Sequence, residues 1–241
     1  MKALLAALIV SYVLPAYSIL RRLAEGRDDL QLTTLKVDGA ASVGPAAAKD
    51  AAAALGSAWE AGELPAAFSV TMRLPGRCRV ELRTLDGGKA VAAVHAFGKR
   101  RADGGQVPGL QQAADAICGV LALHASGEGE SRAAVEKYLA GLKVNTRVTS
   151  LGRFGGSVAY VIGDTAEGAP QFWVQRERFL PVRVAFTEGD AAYDVQFLDY
   201  TSSSTGEWFP RALAVFRNGE LLLRLNAQKS DLKPKFEEGS F

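Results

Sequence analysis

The chain has 241 residues, 48% hydrophobic and 22% charged, which is the composition of a folded globular protein holding one large domain or two small ones. Its net charge of +2 is too small an excess to suggest a nucleic-acid-binding surface. Only two histidines and two cysteines are present, and no His/Cys/Asp grouping has metal-ligand spacing, so neither a metal site nor a cofactor is expected.

Met1-Lys2 is followed by ALLAALIVSYVLPAYS. A short positive start, an apolar stretch to Leu14 and a small-x-small end at Ala16-Tyr17-Ser18 make a secretory signal peptide, residues 1–18, cleaved after Ser18. The alternative is an uncleaved anchor; Pro15 and the short apolar length argue against a full span. Residues 19–241 then form a single soluble domain, since no later run approaches the ~18 apolar residues of a membrane helix.

Ile19–Leu32 reads as an amphipathic helix, Leu32–Val43 as a strand, and the alanine-dense Pro45–Glu60, with Trp59 near its end, as a helix. In TMRLPGRCRVELRTLDGG, residues 71–88, the arginines stand at 73, 77, 79 and 83. Met72, Leu74, Cys78, Val80 and Leu82 fall between them, the alternation of strands with one wet and one apolar face. Ala67–Leu74 and Cys78–Leu85 pair across a type II turn at Pro75-Gly76. Asp86-Gly87-Gly88 is the next turn and Ala90–Phe97 the next strand. Lys99–Gly109, with its basic cluster Lys99–Arg101, reads as a solvated loop.

Leu110–His124 carries Ala114, Ile117, Cys118 and Leu121 at helical spacing, and Ser131 is placed to cap a second helix running to Leu142. From Lys143 the period is two, with strands at 143–150, 154–163, 170–176, 181–187, 192–199, 208–216 and 220–228. Asn218-Gly219 joins the last two as a hairpin. About eleven strands, with helices confined to inserts, make an α+β fold: a long antiparallel sheet with helices on one side. Cys78 and Cys118 can pair in an oxidising compartment, closing roughly 40 residues for about 4 kcal/mol, or remain two buried thiols.

Several segments, in order, carry a resemblance. Arg73–Glu81 (RLPGRCRVE) has the form of an RP-x-R-x-E strand turn, and Asp86-Gly87-Gly88 that of a DG hairpin. Pro170–Val174 with Arg178–Val184 has the form of a lid-to-strand pair with LP-x-R. Val195–Tyr200, Gly206 and Trp208-Phe209-Pro210 follow a v-x-f-x-dy…g-x-xfP pattern. Together, over most of residues 32–236, they resemble the LolA/LolB-like superfamily of periplasmic lipoprotein carriers. The resemblance implies an incompletely closed antiparallel β-barrel, an apolar concave face that binds acyl chains of a lipoprotein or another lipid, and helices lying over it as a lid. It also implies a periplasmic location and membrane donor or acceptor proteins as partners.

On that reading the ligand-binding candidates are Phe68, Val70, Met72, Val80 and Leu82 on the first strands, Ile117 and Leu121 on the lid, and Tyr160, Trp173 and Phe197 on the later strands. Arg73 or Arg79 is the candidate for a head-group carbonyl or anionic lipid, because an arginine always presents donors in a fixed fork; the alternative is that Arg73, Arg77, Arg79 and Arg83 are the solvated side of two strands. No catalytic residue is expected. Gly155-Gly156-Ser157 lacks the serine-elbow pattern and the glycines at 127 and 129 make no phosphate fingerprint. A regulatory sensor or scaffold of the same fold, comparable to the RseB-like proteins and acting through protein partners, is the alternative function.

Overall fold

The computed structural model describes residues 13–124, 129–202, 205–236 and 241. Twelve strands build one sheet. Its first half is β1 (Thr34–Val43), β2 (Leu64–Arg73), β3 (Arg77–Arg83), β4 (Ala90–Ala96) and β5 (Lys99–Asp103). Its second half is β6 (Thr149–Phe154), β7 (Ser157–Gly163), β8 (Gln171–Gln175), β9 (Pro181–Glu188), β10 (Ala191–Leu198), β11 (Ala212–Arg217) and β12 (Glu220–Asp231). Four helices accompany them among the described residues: α1 (Ala16–Asp28), α2 (Pro45–Leu55), α3 (Leu110–Val120) and α4 (Glu130–Gly141).

The strand order is β5-β4-β3-β2-β1-β12-β11-β10-β9-β8-β7-β6. Every neighbouring pair is antiparallel, and the two halves meet where β1 pairs with β12. β5 and β6 are the two edges, so the barrel is not closed. The connection from β5 to β6 must therefore travel from one edge to the other, and it carries α3 and α4. The expected α+β architecture, an unclosed antiparallel barrel with helices on one face, is what forms.

The additional strand is β5. Lys99–Ala102 are exposed on both faces, so the segment has no apolar alternation to mark it, and its charges suit an edge that must not recruit another strand. Other expectations shift for local reasons. α2 stops at Leu55 because Gly56 takes φ 66° as a left-handed cap, leaving Trp59 in the following loop. Residues 143–148 are not a strand; Val144 donates its N–H to Leu139 O and closes the end of α4. Gly155-Gly156 is a hairpin turn between β6 and β7. The final hairpin at Asn218-Gly219 has positive φ at both residues, 52° and 83°. The Leu74–Pro75 peptide is cis, so this turn is not the type II turn expected, although Gly76 has the positive φ. Gly129 rather than Ser131 caps α4; the Ser131 hydroxyl instead donates to Asp28 of α1 at 2.5 Å. The expected cleavage point after Ser18 falls in the first turn of α1, and residues 1–12 of the expected signal peptide lie outside the described residues.

Even-numbered residues of β2 and β3 are buried and odd-numbered ones of β3 are half-exposed, so the alternation read around residues 72–83 sets the two faces of the sheet. The apolar face carries the core, roofed by helices. α3 lies on β3 and β4 and reaches β10 and β11, α2 packs on β1, β2 and β12, and α1 packs along α4.

Candidate functional site

The site is the layer between the apolar face of the sheet and the helices. Phe68, Val70 and Met72 of β2 and Val80 and Leu82 of β3 point into it, each at most 2% exposed. From the other half come Tyr160 and Ile162 of β7, Phe172 and Val174 of β8, and Val195 and Phe197 of β10. The roof contributes Ile19, Leu20 and Leu23 of α1, Ile117 and Leu121 from α3 and its cap, and Val135 and Leu139 of α4. Nine of the eleven candidates therefore share one apolar cluster, including the strand residues Phe68, Val70, Met72, Val80, Leu82, Tyr160 and Phe197.

Arg73 and Trp173 do not join them. Arg73 is exposed and stands at the end of β2, on the face away from the helices. Trp173 is half-exposed on that same outer face, stacked under the guanidinium of Arg183 at 5.3 Å, with its Nε1–H donated to Gln171 Oε1 at 3.0 Å. The inward aromatic of β8 is its neighbour Phe172, fully buried. The alternation Gln-Phe-Trp-Val-Gln already put Trp173 in phase with two glutamines, and that signal identifies Phe172 as the core residue.

The roof is attached unevenly. On the β3–β5 side it is fixed covalently: Cys118 of α3 forms a disulfide with Cys78 of β3, with Cα atoms 5.8 Å apart. Beside it, Asp115 of α3 pairs with His95 Nε2 at 2.8 Å and with Arg100 at 3.0 Å, and accepts from Gln111 at 2.7 Å. On the β7–β9 side the contacts are softer. Arg22 of α1 lies 5.1 Å over Phe179, which stacks on Tyr160 at 5.8 Å. Arg27, missed by sequence reasoning because it looks like any helix arginine, is buried at the centre of this arrangement. It donates to the main-chain carbonyls of Leu121, Glu207 and Trp208 at 2.8, 2.8 and 3.1 Å. Burial draws its pKa down to about 10, opposed by the nearby Tyr200, Glu207 and Asp28.

The helices fill the concave face in this arrangement. Cavities of about 600, 570, 360 and 380 Å³ open at its rim and on the outer face. Of the candidates only Phe197 lines one of these, the third. A hydrocarbon chain would have to take the place of helix side chains. Among the described residues no group of three or more His, Cys, Asp or Glu is placed to hold a metal.

An open antiparallel barrel roofed by helices in this order is a LolA-like fold. A "putative outer membrane lipoprotein-sorting protein domain" from Vibrio parahaemolyticus matches it at TM-score 0.55 and 12% identity, over 92% of this chain and 94% of that one. A LolA superfamily protein from Nitrosomonas europaea aligns at TM-score 0.48 and 12% identity, over 92% and 96% of the two chains. A chain of the Pseudomonas aeruginosa MucA/MucB complex aligns at TM-score 0.30 and 17% identity, over 90% of this chain and 56% of that one. No family sequence model and no curated protein matches the chain.

Proposed function

We propose that the protein is a periplasmic carrier that holds the acyl chains of a lipoprotein or another lipid, reversibly, between the concave face of its sheet and the α1–α4 side of its roof. The observation that carries this reading is the uneven attachment of the roof. The disulfide and Asp115 pin α3 to β3–β5, while α1 meets β7 through the ring contacts of Phe179 and Tyr160. The α1–α4 pair has no covalent tether, only side-chain packing and the reversible hydrogen bonds of Arg27, so it can lift from the apolar sheet while the disulfide keeps α3 in place. The likeness to a lipoprotein-sorting domain supports the same reading.

The magnitudes agree with reversible binding. A sixteen-carbon chain gains on the order of 12 kcal/mol at ~0.8 per methylene. Association costs some 4–15 kcal/mol. Lifting α1 and α4 exposes Ile19, Leu20, Leu23, Val135 and Leu139, which costs more. Gains and costs are of the same order, so the balance between open and closed states is fine enough for release as well as uptake, and no covalent bond need be made or broken.

The test is fluorescence enhancement of an acyl probe by the purified protein at micromolar concentration, reversed by a competing fatty acid. Absence of uptake overturns the proposal. A stable co-purifying protein, with no lipid in solvent extracts, would instead assign the scaffold role.

A further inference from the structure

On the face of the sheet away from the helices, Arg73 of β2, Arg77 of β3, Ala96 of β4 and Lys99 of β5 stand opposite one another in a single cross-strand row. Residues directly opposed in antiparallel strands share a side of the sheet. One row further in, the positive charges are neutralised: Arg79 by Glu81 and Asp103 at 2.9 and 2.8 Å, and Arg101 by Asp103 at 3.1 Å. The rim row has no acid. Among the described residues Arg73, Arg77 and Lys99 form no ion pair, and Arg73 lies directly across from Arg77, a like-charge opposition that weakens a sheet.

Beyond the row, the β4–β5 hairpin turns at Phe97-Gly98. Both have positive φ, 50° and 79°, the geometry of a type I′ turn whose first position suits Asn, Asp or Gly. A phenylalanine there is strained, and it gains no burial in return, because Phe97 is 69% exposed. Its ring is held at the tip by the Arg77 guanidinium, 5.0 Å from the ring centroid, and its N–H by Gly76 O at 2.7 Å. Two features that oppose folding, the Arg73–Arg77 opposition and the left-handed Phe97, therefore coincide with an exposed aromatic ring at one tip.

We propose that this tip docks on an anionic phospholipid bilayer. An aromatic ring settles at the depth of the headgroups, and a straight row of unpaired cations meets a plane of phosphates. Gly76, Arg77 and Gly98 also line the cavity of about 380 Å³ that reaches Cys118 and Ala122, so a docked tip sets the end of α3 beside the bilayer. The surface is separate from the acyl-binding layer and stands independently of that reading.

The experiment is co-sedimentation of the protein with vesicles of phosphatidylglycerol and phosphatidylethanolamine, against vesicles of phosphatidylcholine, at low and high salt. Binding is expected to the anionic vesicles alone and to weaken with salt. Phe97→Asn should raise the melting temperature, because asparagine tolerates the left-handed turn, and should lower vesicle affinity about tenfold. Arg77→Gln and Lys99→Gln should each lower it roughly fivefold. Acyl-probe uptake in vesicle-free solution should be unchanged in all three variants. Wild-type protein that stays in the supernatant with anionic vesicles while still taking up probe overturns the docking proposal alone. So does Phe97→Asn binding vesicles as tightly as wild type, or the protein binding soluble polyglutamate as well as it binds vesicles, which would indicate an acidic protein partner.

Discussion

The guanidinium of Arg27 on α1 donates to the carbonyl of Leu121, 2.8 Å away, where α3 ends. The same side chain holds the carbonyls of Glu207 and Trp208 in the connection between β10 and β11. One residue thus joins two roof helices to the second half of the sheet. In Arg27→Met three acceptors lose their donor, and the urea midpoint should fall by the equivalent of about 3 kcal/mol. Acyl-probe entry, followed by stopped flow, should quicken because α1 is released; an unchanged rate would mean α1 is not the moving part.

The disulfide makes the opposite prediction about α3. It joins residues 40 apart. Cys78→Ser with Cys118→Ser should cost about 4 kcal/mol of stability by the chain-entropy model. If α3 is a fixed hinge, loosening it should broaden uptake to bulkier acyl probes without being needed for uptake of a single chain. Loss of all uptake would show that the tether shapes the cleft itself.

The two faces of the second half can be separated by paired variants. Phe197→Ala opens a cavity in the cluster and should cost about 3–5 kcal/mol while altering probe affinity. Trp173→Ala removes the platform under Arg183 on the outer face and should leave probe affinity where it was. Calorimetry and probe titration of both variants check the assignment.

Gly119 sets how closely α3 and α4 approach. A Cβ there would stand 2.6 Å from Cδ2 of Tyr138, a contact that forces the helices apart. Gly119→Ala should therefore destabilise by about 1–3 kcal/mol, with amide exchange in α4 accelerating more than exchange in β3.

Burial pushes the phenols of Tyr138 and Tyr200 well above the ordinary value of 10.0, with Asp115 adding to the rise at Tyr138 and with Arg27 and Arg178 opposing it at Tyr200. In the unfolded chain both ionise near 10, so above that pH the native state holds more protons and stability falls; below it the contribution is complete. Ultraviolet titration should find these two tyrosines silent until the protein unfolds in alkali.

Much of this was legible in the residues. The strict alternation from Met72 to Arg83 fixed which face of β2 and β3 is apolar, and Asn218-Gly219 located the last hairpin. The misreadings fell where one local rule was applied without its competitor. β5 was hidden because an edge strand is wetted on both faces. Trp173 is aromatic like the core residues around it, but its phase matches Gln171 and Gln175 and puts it on the outer face. Ser131 has the chemistry of a cap, but it spends its hydroxyl on Asp28 of a helix more than a hundred positions away. Arg27 gave no sign, since its burial depends on the arrival of α3 and of residues 207–208, which no local pattern encodes.

The seam where β1 meets β12 has a consequence for how the molecule is made. Ala40 lies across from Asn226 at the middle of the sheet, so β1 waits for a partner made nearly two hundred residues later. Until then β1 presents a bare edge and neither half has its neighbour. Such a chain cannot finish folding while it is being translated, and pairing of this long range is slow.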